Sequence, residues 1–133
     1  DSGDIQSVQH LKNIFEVCTR TPATAHWLPT REARFLRLMD PDVVPKNLKI
    51  VLSDHMNDQA RPPSWWPYTS GVETDHKETH CPAFRTDEAG NVYSLEKFLA
   101  MTKETKKELD LGHCGNCRKC WDRNTKRVIY GKH

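Results

Sequence analysis

The apolar residues fall into short runs whose spacing changes from one run to the next. Val8, Leu11, Ile14, Phe15 and Cys18 recur at the three- and four-residue steps of a helix face. Ser7 stands in the N-cap position, and Thr21-Pro22 disfavours continuation beyond Arg20. AHWLPT, residues 25 to 30, reads as a short strand. REARFLRLM, residues 31 to 39, reads as a second short helix, capped by Thr30 and closed by Asp40-Pro41. Leu48 to Leu52, within KNLKIVLSD, form the clearest strand, apolar and bounded by turn residues on both sides. No period survives from 54 to 80, where Pro62, Pro63 and Pro67 surround Trp65-Trp66. A long irregular loop is expected there, of the kind that is functional or pinned by something. A third helix is predicted from a Ser94 cap to about Leu109, with Leu95, Phe98, Leu99, Thr102 and Leu109 inward and Gly112 ending it. KRVIYG, residues 126 to 131, is the last expected strand.

Helices alternating with strands predict one α/β domain over residues 1 to 133. The expected architecture is a small three-layer or partial-barrel α/β domain, with a long irregular loop at 54 to 80. A C-terminal cysteine loop at 113 to 121 is expected to hold a metal cluster. If the sheet is parallel, DSGD, Thr30-Arg31 and Ser53-Asp54-His55 gather at its carboxyl edge, where α/β folds place their sites. Asp1, Asp4, Asp54, His55 and Asp58 are then candidates for cation binding or acid–base work, although no spacing among them fixes a mechanism.

Composition narrows the class. The chain has 133 residues, 36% of them hydrophobic, and four tryptophans, which sets it apart from a disordered polymer. No run approaches the roughly 20 apolar residues of a membrane span, and DSGD does not resemble a signal peptide. The opening without Met fits a processed or trimmed chain. A net charge of +2 by itself implies neither nucleic acid nor membrane as partner. The charge is uneven, however: residues 101 to 133 carry nine Lys/Arg against four Asp/Glu.

The chemistry is concentrated in HCGNCRKCW, residues 113 to 121. Cys114, Cys117 and Cys120 follow one another at two-residue gaps, and a tight C-x2-C-x2-C turn lets three thiolates converge on three corners of an iron–sulfur cube. Gly115 relieves crowding inside the first gap. The fourth ligand of such clusters often comes from a distant Cys-Pro pair, and Cys81-Pro82 stands upstream, with 32 residues between Cys81 and Cys114. The competing ion is zinc, with His80, His113, His55 or His133 completing a site begun by Cys114 and Cys117. Thiolates of this kind belong to a reducing cytosol. Cys18 lies on the apolar helix face and reads as a small core hydrophobe.

Arg118, Lys119, Arg123, Lys126 and Arg127 flank the triplet. They are placed to offset the negative charge of a cluster or, as the second reading, to contact phosphates. Trp121 is expected to shield the cluster, and Trp65-Trp66 to pack as a lid over the metal loop. His10 and His26 read as surface or packing residues.

DSGDIQSVQHLKNIFEVC, WLPTRE, HCPA and CGNCRKCWDRNTKRVIYGKH together resemble the phage-encoded gene product 88 domain family, over most of the chain. The closing C-x2-C-x2-C-W block with its Tyr and His is the most specific part. The resemblance implies a viral origin, an iron–sulfur cluster and a distant relation to radical-SAM α/β proteins. Family members generally carry a further cysteine-containing segment upstream of DSGD, so an N-terminal segment is expected to be missing here. The chain has no C-x3-C-x2-C motif, which sets it apart from chemistry on S-adenosylmethionine, and a non-enzymatic role is the expectation.

The expected function is that of a small viral iron–sulfur protein of the host cytoplasm. It binds one [4Fe-4S] cluster through Cys81, Cys114, Cys117 and Cys120, and acts in electron transfer or redox sensing, with a host redox protein as partner. The alternative is a zinc- or cluster-stapled binding module that presents its basic C-terminal segment to nucleic acid or a host protein. A homodimer that covers an exposed sheet edge is a further expectation.

Overall fold

Ser7 starts the first helix as a cap should, its Oγ accepting the His10 N–H at 3.0 Å. In the computed structural model, which describes residues 4–58, 62–76 and 79–131, helix α1 (Val8–Arg20) ends where the chain turns toward Pro22. Asn47 closes that end, with Nδ2 2.8–3.0 Å from the carbonyls of Cys18, Thr21 and Thr24. Strand β1 (His26–Thr30) follows, then the one-turn helix α2 (Ala33–Leu36) and strand β2 (Leu48–Ser53). Helix α2 is shorter than the nine residues expected. Its N-cap is Glu32 rather than Thr30, whose hydroxyl accepts the Glu32 N–H at 3.0 Å and donates to the Asp4 carboxylate.

The described strands, which include β3 (Thr69–Glu73) and β4 (Arg127–Gly131), are all parallel and lie in the order β1-β2-β3-β4, which makes this a small α/β domain. Strand β3 (Thr69–Glu73) lies inside the stretch expected to be an irregular loop, and this corrects the sequence reading. Its sequence, TSGVE, has no apolar run because its buried positions are satisfied by polar partners. Thr69 Oγ1 accepts from Arg127, and Ser70 Oγ pairs with Ser53 Oγ at 3.1 Å. Trp66 anchors the approach to β3, its Nε1 donating to Ile50 O at 3.0 Å.

The predicted helix from Ser94 to Leu109 is also corrected. It is two helices, α3 (Leu95–Ala100) and α4 (Lys103–Glu108), each with its own cap. Met101 between them is extended, and the Thr102 hydroxyl accepts the Thr105 N–H at 3.2 Å, restarting the helix. Leu99, expected inward, is exposed, while Phe98 is buried. Strand β4 (Arg127–Gly131) closes the sheet as predicted.

Residues alternate across β2. Leu48, Ile50 and Leu52 belong to the same buried cluster as Leu11 and Cys18 of α1 and Leu36 of α2. Val51 belongs to that cluster too, while Lys49 meets the cysteine loop. The sheet is stepped: β2 joins β3 only through Leu52 with Thr69 and Ser53 with Ser70, so the end of β2 is level with the start of β3. Among the described residues no helix is long and apolar enough to cross a membrane.

Candidate metal centre

Two chain segments build the site, and each is held by the sheet. The first runs along the outer edge of β4, where the N–H groups of His80 and Cys81 both donate to Ile129 O, at 2.9 and 3.0 Å. A 3-10 turn at Ala83–Arg85 then carries the chain to Thr86, which is fully buried. Thr86 joins the two segments: its hydroxyl donates to Pro82 O at 2.7 Å, and its carbonyl accepts the N–H groups of Gly112 and His113.

The second segment is the cysteine loop. Cys117 N–H donates to Cys114 O at 3.2 Å, a turn made possible by Gly115 at φ +56°. Arg118 braces the turn from outside, its Nη1 donating to Gly115 O and Cys117 O at 2.9 and 2.8 Å. Lys49 braces it from within. Only 3% exposed, its ammonium donates to the carbonyls of Asp122 (2.7 Å), Thr125 (3.0 Å) and Lys119 (3.3 Å). Burial pushes the Lys49 amine below its ordinary range, while Cys120 and Asp122 act to hold its charge.

These supports bring Cys81, Cys114, Cys117 and Cys120 onto the wall of one cavity of about 280 Å³, the set of thiols the spacing predicted. Trp27, Phe84, Trp121 and Tyr130 form its apolar walls, and Arg118 stands at its lining. All four cysteines are free thiols, Cys114 exposed and the other three partly buried. Burial raises the Cys81 thiol above its ordinary range, and repulsion from Cys120, Cys114 and Cys117 adds to the effect. Tyr130 Oη lies 3.0 Å from Cys120 Sγ. Burial first, then that bond and the neighbouring thiolates, drive the phenol far up and keep it protonated. Among the described residues no three His, Cys, Asp or Glu side chains close on a single point as the donors of one metal ion would.

The donor set suits a sulfur-bridged iron group in its chemistry. The indole Nε1 of Trp27, a wall residue of the chamber, is buried with no hydrogen-bond partner, whereas that of Trp66 is satisfied by Ile50 O.

Other expectations fare differently. His80 Nδ1 accepts the Ile129 N–H at 3.3 Å, and His113 faces Asp110 at 3.2 Å. Neither they nor His55 line the cysteine cavity, and His133 lies outside the described residues. Trp65-Trp66 is no lid: Trp66 is core and Trp65 stacks under Arg37, away from the thiols. Trp121 does line the chamber, and packs on Trp27 with ring centroids 6.3 Å apart. Cys18 is buried in the core, as expected, and burial raises its thiol.

The basic residues beside the triplet are largely engaged by the protein itself. Arg123 Nη1 reaches the carbonyls of Pro45, Lys46 and Leu48, Lys126 lies over the Tyr68 ring, and Arg127 grips Asp54. That last pair is two-pronged, with Nη2 2.5 Å and Nη1 3.3 Å from the carboxylate oxygens. It crosses over Gly71, whose missing side chain leaves the room.

The acidic candidates likewise hold structure. Burial of Asp4 opposes its charge, but bonds from Thr30, Ile5 N–H and Arg31 N–H outweigh it and keep the carboxyl below its ordinary range. Asp58 accepts from both the N–H and the hydroxyl of Thr74 at 2.8 Å. Asp54 and Asp58 share a groove of about 540 Å³ that neither Asp4 nor His55 lines. Asp1 lies outside the described residues.

Lys49, Trp27 and Phe84 carry no motif that marks them in the sequence. The one available signal is a lysine at an inward position of an otherwise apolar strand, LKIVL.

No curated protein and no solved structure matches the chain. The sequence model of the family described as Gene product 88 matches residues 1–123, a span that includes all four cysteines of the cavity, and the chain belongs to that family.

Proposed function

We propose that this is a small iron–sulfur protein of bacteriophage origin, distantly related to radical-SAM α/β proteins. It holds one [4Fe-4S] cluster through Cys81, Cys114, Cys117 and Cys120, and serves electron transfer or redox sensing in the host cytoplasm. One observation carries the reading: four thiols from two distant segments line a single aromatic-walled cavity. Bound there, a cluster supplies a one-electron couple.

The chain's own residues do the rest. Cys81, Cys114, Cys117 and Cys120 provide four thiolates, so no corner is left open to a substrate, which favours electron transfer over bond-making. Trp27, Phe84 and Trp121 give the chamber its apolar walls, with Cys114 on its exposed side. Arg118 and Lys49 place positive charge beside them. Membership of the Gene product 88 family supports the viral origin.

A host redox protein is the proposed electron partner. A homodimer would form at β1, whose outer edge pairs with no other described strand. The binding-module alternative, with zinc or a cluster as staple, has less support, because Arg118, Arg123 and Arg127 are occupied by carbonyls and a carboxylate.

Protein purified without oxygen should be brown, with a broad absorption near ~400 nm that dithionite bleaches. Colourless protein carrying one zinc per chain would overturn the reading. Cys81→Ser should lose most of its iron, while Cys18→Ala keeps wild-type iron and spectrum. Equal behaviour of the two variants would refute the ligand assignment.

A further inference from the structure

We infer that Tyr130 and Trp27 set the reduction potential of the proposed centre, as its two protein hydrogen-bond donors from the sheet. The inference rests on the iron–sulfur reading above and goes beyond the four ligands.

Tyr130 projects from β4 to the cavity wall, with its hydroxyl 3.0 Å from Cys120 Sγ. A cysteine that ligates iron is a thiolate and can only accept, so the hydroxyl is the donor. Trp27 projects from β1 at the same register as Lys49 of β2, and it lines the same cavity. Its Nε1–H can only donate, and it is buried without a partner. Buried donors are nearly always satisfied, and this fold satisfies the indole of Trp66 through Ile50 O. His76 Nδ1 is the other buried atom without a partner among the described residues, and it does not line the chamber. Trp27 borders two further grooves as well, and sulfur held inside the chamber is the acceptor we assign to its indole.

A hydrogen bond to thiolate or sulfide draws electron density off the sulfur. It stabilises the more negative, reduced state more than the oxidised one, and so raises the potential. Arg118 Nη1 and the Lys49 ammonium act differently: they donate to backbone carbonyls and place positive charge near the thiols.

The test is a redox titration of anaerobically purified holoprotein, comparing wild type with Tyr130→Phe and Trp27→Phe. Both substitutions keep an aromatic ring in place. Each variant should carry wild-type iron and sulfide per chain, and each midpoint potential should shift below that of the wild type. The Fe–S(Cys) stretching bands should move to higher frequency. On wild-type protein, transfer to heavy water should shift those bands, a measurement that needs no variant. A fully loaded variant with the wild-type potential removes that residue from the inference. Lower loading with an unchanged potential in the loaded fraction shows a packing role only, and also overturns it. Wild-type protein without a cluster fails the iron–sulfur reading itself, a result distinct from either.

Discussion

Lys49 and Gly71 each do work that belongs to one side chain or to its absence. The Lys49 ammonium ties Lys119, Asp122 and Thr125, at the exit of the cysteine loop, to the middle of β2. Lys49→Met keeps the buried stem and removes the donors, leaving those carbonyls without this partner. Relief of the buried charge offsets part of the cost, and a net loss of about 1–2 kcal/mol follows. A lower urea midpoint and less iron per chain, with the far-ultraviolet spectrum preserved, would bear this out. Gly71 needs no unusual backbone angle but lies under an ion pair. A Cβ there would stand 2.5 Å from Asp54 Oδ2 and 2.8 Å from Arg127 Nη2. Gly71→Ala should therefore break a pair whose carboxylate side is buried, costing about 3 kcal/mol or more. Gly90 gives the control, at φ +87° and with no atom within 4 Å of where a Cβ would stand. Gly90→Ala should cost only about 1–2 kcal/mol, the strain of the left-handed backbone alone. Equal denaturation midpoints for the two variants would contradict this account.

At the scale of elements, capping and turn chemistry were legible and strand burial was only half so. Ser7, Ser94 and the Thr21-Pro22 stop act as predicted, because a cap is a local bond between a side chain and a backbone N–H a few residues away. Thr102 has the same chemistry, but its helical spacing from Leu95, Phe98 and Leu99 predicts an inward position, and so one helix where there are two. Strand β3 escaped because its neighbours, rather than its own hydrophobicity, make it a strand: Thr69 and Ser70 are buried against Arg127 and Ser53. The cysteine turn shows the opposite case, in which a local demand and a tertiary contact coincide. Gly115 has φ +56°, and a Cβ there would meet the Thr86 methyl at 3.3 Å. Gly115→Ala should cost about 1–2 kcal/mol in stability. It should also lower iron loading by displacing Cys114 from Cys81. An unchanged iron content would show that the turn tolerates the shift.

For the molecule as a whole, the stepped sheet divides the support of the site. Strands β1 and β2 pack with α1 in one buried cluster, while β3 and β4 join β2 by a short pairing and the cysteine loop is tied to β2 through Lys49. If metal joins residues 79 to 86 to residues 112 to 125, removing it should loosen those segments first. After iron chelation, hydrogen exchange should accelerate across both segments and leave α1 and β2 protected. Uniform acceleration would mean instead that metal and core form one cooperative unit.

The sequence by itself determined which residues could act, and with what partners of their own kind. Three thiols at two-residue gaps and a distant Cys-Pro define a donor set whatever the fold, because ligand type and local turn geometry are written in neighbouring residues. The capped ends of α1 and the apolar run of β2 were legible for the same reason: each depends on bonds or periodicity spanning only a few positions. Tertiary structure decided everything that required two distant segments to meet. It turned Lys49 inward onto a loop some seventy residues away. It spent Arg123 and Arg127 on the protein itself, and sent Trp66 to the core instead of the cysteine loop. It also set Trp27 and Tyr130, from opposite edges of the sheet, on the wall of one chamber with four cysteines. The physical reason is that burial and hydrogen-bond satisfaction are properties of the assembled chain. A polar side chain in a sequence carries no mark of whether water or a carbonyl will answer it.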